Sequence, residues 1–109
     1  MQSVTHKRGA TLSWAGALAD DAGVAVDLTG YTLTAQVRDA SRSLITEATV
    51  TLADQITSPG VFSVVVGASD TAAWPLATLL TDVRVVSPSG HVDYTETIRI
   101  DVKERQTEP

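Results

Sequence analysis

Leu12, Trp14, Gly16 and Leu18 alternate with Thr11, Ser13, Ala15 and Ala17, which is the period of two that places one face of a β-strand on a core and the other in water. The alternation returns in "YTLTAQVR", where Tyr31, Leu33, Ala35 and Val37 share one face and Thr32, Thr34, Gln36 and Arg38 the other. A third such run, "VFSVVVG" from Val61 to Gly67, is the most β-prone of the chain, with Phe62, Val64 and Val66 in phase. Turn chemistry separates these runs: "DDAG" at Asp20–Gly23, "DLTG" at Asp27–Gly30 and "SPG" at Ser58–Gly60. Val24 to Val26 reads as a short strand between the first two turns, and "SLITEATV" (Ser43–Val50) as a strand without a clean period.

One segment offers a helix start. In "ASDTAAWPLATLL", Ser69 or Asp70 can cap a first turn, and Pro75 disfavours α conformation at Trp74. At most one helical turn is expected, near Asp70–Trp74, tucking Trp74 over one end of a core. The C-terminal half closes with a hairpin, "TDVRVVSPSGHVDYTETIRIDV", turning at Ser87–Gly90. Tyr94, Ile98, Ile100 and Val102 share a phase that Glu96 interrupts, so a bulge is expected near Thr95–Thr97. Arg84 and Glu96 lie on opposite arms and are expected to neighbour each other. Six to eight short strands with almost no helix predict an all-β fold, an antiparallel β-sandwich of immunoglobulin-like type. Its core is expected to hold Trp14, Leu33, Phe62, Val64, Val83, Ile98 and Ile100.

Composition narrows the picture. A chain of 109 residues, 43% apolar, suits one domain with one core. Cysteine is absent, so the sandwich has no disulfide, thiolate metal site or cysteine nucleophile. No apolar run approaches the roughly 20 residues needed to span a bilayer, and the expectation is no membrane partner. Met1–Val4 lacks the pattern of a secretory signal, which implies either no export by that route or a signal already removed. With 8 Lys and Arg against 13 Asp and Glu, the net charge of −5 opposes a phosphate backbone. The basic residues are scattered singly apart from Lys7-Arg8, so no nucleic-acid partner is expected.

Chemistry-bearing constellations are sparse. His6 and His91 stand apart from one another and from any local nucleophile. Asp20-Asp21 with Asp27 lacks the spaced acidic series of a calcium loop, and Gly9, Gly16, Gly23 and Gly30 form no phosphate loop. Asp82, Glu96 and Glu47 are the carboxylates that folding alone could pair for acid–base work. No catalytic, cofactor-binding or metal-ligating residue is assigned, and no enzyme activity or cofactor is expected.

The succession of a Trp14 strand, "DLTGYTLTAQVRD", "SPGVFSVVVGASDTAAW" and the terminal hairpin resembles small immunoglobulin-like domains of bacteriophage and prophage tail, baseplate and fibre-associated proteins, over about Arg8 to Lys103. The resemblance implies a non-enzymatic component of a virion, in the tail or baseplate, made in the host cytoplasm and partnered by other virion proteins and by copies of itself. The alternative is a carbohydrate- or receptor-binding module, which would leave an aromatic such as Trp74 or Tyr94 exposed. The expected organisation is an N-terminal arm (residues 1–8), a sandwich domain (9–103) and a C-terminal tail (104–109). The arm, with Gln2, Val4, Lys7 and Arg8, is expected to be an assembly contact outside the autonomous fold, or else a frayed terminus.

Overall fold

The computed structural model describes residues 2–107. Its strands are β1 (Gln2–Lys7), β2 (Leu12–Ala17), β3 (Thr32–Asp39), β4 (Leu44–Leu52), β5 (Val61–Val66), β6 (Thr78–Val86), β7 (Val92–Tyr94) and β8 (Ile98–Lys103). One short helix, α1 (Ala68–Thr71), precedes β6. No helix among the described residues is long and apolar enough to cross a membrane.

The strands follow one hydrogen-bonded path, β1-β8-β6-β3-β4-β5-β2, with β7 continuing the β8 position along β6. The path folds into two layers at β4. Ala48 and the residues before it pair with β3, whereas Thr49 to Leu52 pair with β5. A one-residue shift between Val37 and Arg38 absorbs Ile45 as a bulge, because Val37 faces Thr46 while Arg38 faces Leu44. The bulge and the change of layer explain why the sequence of β4 shows no clean period.

The fold is all-β and sandwich-like, as the alternation predicts, with one departure from an antiparallel sheet: β1 pairs with β8 in parallel, from Gln2 opposite Ile98 to Lys7 opposite Lys103. For the described part of the expected arm, residues 2–8, this corrects the placement outside the fold; Met1 lies outside the described residues. Val4 packs against the second core cluster, and the His6 ring meets the Trp74 ring edge-on at 5.9 Å. Nor is the C-terminal segment wholly detached. Glu104 pairs with Arg8, and Arg105 donates from Nη1 to the Arg8 carbonyl at 3.2 Å. The Val24–Val26 strand reduces to a single bridge between Ala19 and Ala25.

Two apolar clusters fill the space between layers. Leu28, Ala35, Phe62, Val64, Val83 and Val85 form one; Val37, Val66, Trp74, Leu79, Ile100 and Val102 form the other. Of the expected core, Phe62, Val64, Val83 and Ile100 are buried, while Trp14, Leu33 and Ile98 pack on it partly exposed. Helix α1 begins two residues earlier than expected, and neither Ser69 nor Asp70 caps it: the Gly67 carbonyl takes the N–H groups of Asp70 and Thr71. Turn bonds from Ala73 to Asp70 and from Trp74 to Thr71 carry the coil on to Trp74, which is 1% exposed.

Candidate functional site

The polar positions of β3, β6 and β7 make the outer face of the larger layer. Thr34, Gln36 and Arg38 project from β3, and Leu80, Asp82 and Arg84 from β6, because their neighbours Ala35, Val37, Leu79, Val83 and Val85 point into the core. The register sets Arg38 beside Leu80, Gln36 beside Asp82 and Thr34 beside Arg84. On the other side of β6, Arg84 faces Tyr94 of β7. With Arg42 of the β3–β4 turn, these residues line an open groove of about 780 Å³.

Some of the groove's charge is already engaged. Arg38 donates to Gln36 Oε1 at 2.6 Å and to the Arg42 carbonyl at 2.9 Å. Asp39 accepts the Ser41 hydroxyl at 2.7 Å and the N–H groups of Ser43 and Ser41. Those bonds, the Ser41 hydroxyl foremost, hold its carboxyl below the usual carboxylate range. Arg84, by contrast, makes no side-chain hydrogen bond or ion pair among the described residues and is exposed beside Tyr94, itself 58% exposed. The open cation and the open ring are therefore direct cross-strand neighbours.

Between Arg84 and Thr81 the β6 strand advances by three residues, while its partner advances by four, from Tyr94 to Ile98. The extra residue is the bulge expected near Thr95–Thr97. Thr95 bridges it, accepting the Val83 N–H on its hydroxyl at 2.9 Å and donating its own N–H to the Val83 carbonyl at 3.0 Å. Arg84 thus meets Tyr94, correcting the expectation that it neighbours Glu96.

Tyr94 also borders a second concavity, a cleft of about 380 Å³ at the mouth between the layers. Leu18, Val26, Tyr31 and Val85 supply apolar surface there, and Asp20, Asp21, Asp93 and His91 polar groups. Asp20 Oδ1 is engaged by the Ala22 and Val24 N–H groups at 2.9 and 3.0 Å. Asp20-Asp21 and His91, remote in sequence, are thereby brought together. Among the described residues no group of three or more acidic or histidine side chains is placed to hold a metal ion.

The other sequence candidates lie elsewhere. Gln2 and Lys7 are exposed and Val4 and Arg8 half-buried on or beside β1, and none of them lines the groove or the cleft. Of the three carboxylates considered for acid–base work only Asp82 lines the groove, since Glu47 pairs with Gln36 from the opposite side. The aromatics divide: Trp74 is buried and Tyr94 open. The Arg84–Tyr94 pair was within reach of sequence reasoning, because counting outward from the Ser87–His91 pair that closes the turn gives this register.

No family model matches the chain, and no curated protein matches it. Among solved structures it is similar to CopC from Methylosinus trichosporium OB3b, at 13% identity and a TM-score of 0.47, over 97% of this chain and 88% of that chain. That neighbour is not a phage protein. The expectation of a tail or baseplate component located in a virion is withdrawn, since no family model or curated protein supports it. A likeness at this level carries no inference about what the chain binds.

Proposed function

We propose that this domain is a non-catalytic binding module whose outer sheet face holds a short acidic peptide segment. The observation that carries the reading is the pair of Arg84 and Tyr94, opposed across β6 and β7, both exposed, with the guanidinium unengaged among the described residues. An arginine fork suits a carboxylate in bidentate geometry, and the adjacent ring offers apolar area at small entropic cost. Arg38 and Arg42 bring the groove to three cations against the carboxylates of Asp39 and Asp82, a net of one positive charge.

The net charge of −5 favours a short ligand. A long polyanion would meet the repulsion of the whole chain, whereas a few carboxylates sense mainly charges within a Debye length, about 8–10 Å at ordinary salt. Binding of acetylated, amidated hexaglutamate, followed by calorimetry at low ionic strength, tests the reading. Saturable binding that Arg84→Glu lowers about tenfold or more, and that Lys7→Glu outside the groove leaves nearly unchanged, is expected. Absence of saturable binding, or equal losses in both variants, overturns it.

A further inference from the structure

The β1 strand covers the outer edge of β8 from Ile98 to Lys103. Along the same edge β7 has β6 on one side and, among the described residues, no strand on the other. The sheet therefore has a notch beside Val92–Tyr94. Main-chain bonds fix what points into it. Ser87 N–H donates to the His91 carbonyl and Thr95 N–H to the Val83 carbonyl. Hydrogen-bonded pairs alternate in an antiparallel ladder, so Val85–Asp93 is the bonded pair between these two. Val92 and Tyr94 then turn their N–H and C=O groups away from β6, toward the notch. One of those groups is covered from within the chain: Asp93 Oδ1 accepts the Tyr94 N–H at 2.9 Å.

The two sides of the notch carry opposite charge. On the outer side lies the groove with Arg84, and on the inner side the cleft rimmed by Asp20, Asp21 and Asp93 over Tyr31 and Val85. Tyr94 borders both. Successive residues of a strand point to opposite sides. A segment laid along β7 would thus offer alternate side chains to the arginine and to the aspartates.

We infer that the open edge of β7 accepts an extended segment of a partner polypeptide as an added strand, with acidic side chains toward Arg84 and basic side chains toward Asp20, Asp21 and Asp93. The inference rests on the groove's acidic-peptide reading and adds the mode of attachment and the charge pattern. A carbonyl of the incoming segment takes the Tyr94 N–H in place of Asp93 Oδ1, and the released carboxylate faces the basic side chain. With three residues in β7, main-chain bonds are few, so the alternating charge supplies selectivity and the ladder supplies register.

Two acetylated, amidated hexapeptides of one composition separate the possibilities: alternating Glu-Lys, which sorts its charges by face, and three Glu followed by three Lys, which mixes them. Amide NMR titration of the intact chain should show the alternating peptide binding about tenfold more tightly, with the largest shifts at Val92 and Tyr94. Asp21→Lys should weaken the alternating peptide and leave hexaglutamate bound as tightly or more so. Equal affinity of the two isomers, or shifts that spare the β7 amides, overturns the inference, even where hexaglutamate still binds through Arg84 and the acidic-peptide reading stands. If hexaglutamate fails to bind and the alternating peptide also fails, both readings fall together.

Discussion

The side-chain oxygen of Gln55 accepts the main-chain N–H of Leu28 at 2.9 Å, and the same atom accepts the Gly60 N–H at 2.8 Å. Its amide nitrogen donates to the carbonyls of Ala53 and Val61. One loop side chain thereby ties the "DLTG" turn, the β4 exit and the β5 entry above Leu28, which is fully buried. Gln55→Ala should cost about 2–6 kcal/mol, at ~0.5–1.5 kcal/mol for each of these four bonds. Gln55→Glu keeps the acceptor but loses both donated bonds, so its urea-unfolding midpoint should fall between those of Gln55→Ala and the parent chain.

This clamp was not legible in the sequence, whereas the turn it holds was. Asp27, Thr29 and Gly30 announce their geometry locally: Asp27 Oδ1 accepts the Thr29 N–H at 2.9 Å, and Gly30 has a φ of 81°. Of Gln55's partners Ala53, Gly60 and Val61 are local and only Leu28 is remote in sequence, and nothing in the neighbourhood of Gln55 marks that contact. The β1 strand was illegible for a similar reason. Its inward positions are Val4 and His6, too few apolar residues to declare a buried face, and its parallel partner lies at the far end of the chain. The candidate site divides likewise, since the hairpin was visible while the gathering of Arg38, Arg42 and Arg84 needed the β3–β6 register.

Gly16 lies opposite Phe62 in the β2–β5 ladder. A Cβ at Gly16 would overlap the ring at Cζ and come within 2.9 Å of Cε1. Gly16→Ala should therefore destabilise by about 1–3 kcal/mol through overpacking, and Phe62→Ala alone by about 3–5 kcal/mol through the cavity it leaves. Combined with Phe62→Leu, Gly16→Ala should cost less than it does alone, because the obstructing ring is gone. A double-mutant cycle read by denaturant unfolding checks the coupling.

Deleting residues 1–7 removes the β1 ladder, the Val4 contact with the second core cluster and the His6–Trp74 ring contact. It also exposes the outer edge of β8. The expected result is a monomer weakened by ~2 kcal/mol or more, a fall of roughly 10 °C in thermal midpoint, with a greater tendency to associate through the uncovered edge. An unchanged midpoint would show that β1 contributes nothing to the fold.

Acid should unfold the protein through a small set of carboxylates whose folded-state pKa values are held low. The Thr29 hydroxyl lowers Asp27, the Ser41 hydroxyl Asp39, the Thr78 hydroxyl and then Arg99 lower Asp101, and Arg8 lowers Glu104. A folded pKa below the unfolded one contributes stability that is present above the unfolded value and lost as pH falls through the folded value. The urea midpoint should therefore stay nearly level from about pH 7 to pH 5 and decline below about pH 4, where unfolded carboxylates begin to bind protons. Asp101→Asn and Glu104→Gln should each lower the plateau slightly and flatten the decline. Two of the four groups face guanidinium charges and two face neutral donors, so about 0.5 M salt should weaken the contributions of Asp101 and Glu104 while sparing those of Asp27 and Asp39. A decline equally steep in the doubly substituted chain would assign the acid sensitivity to Asp27, Asp39 and the general repulsion of a cationic chain.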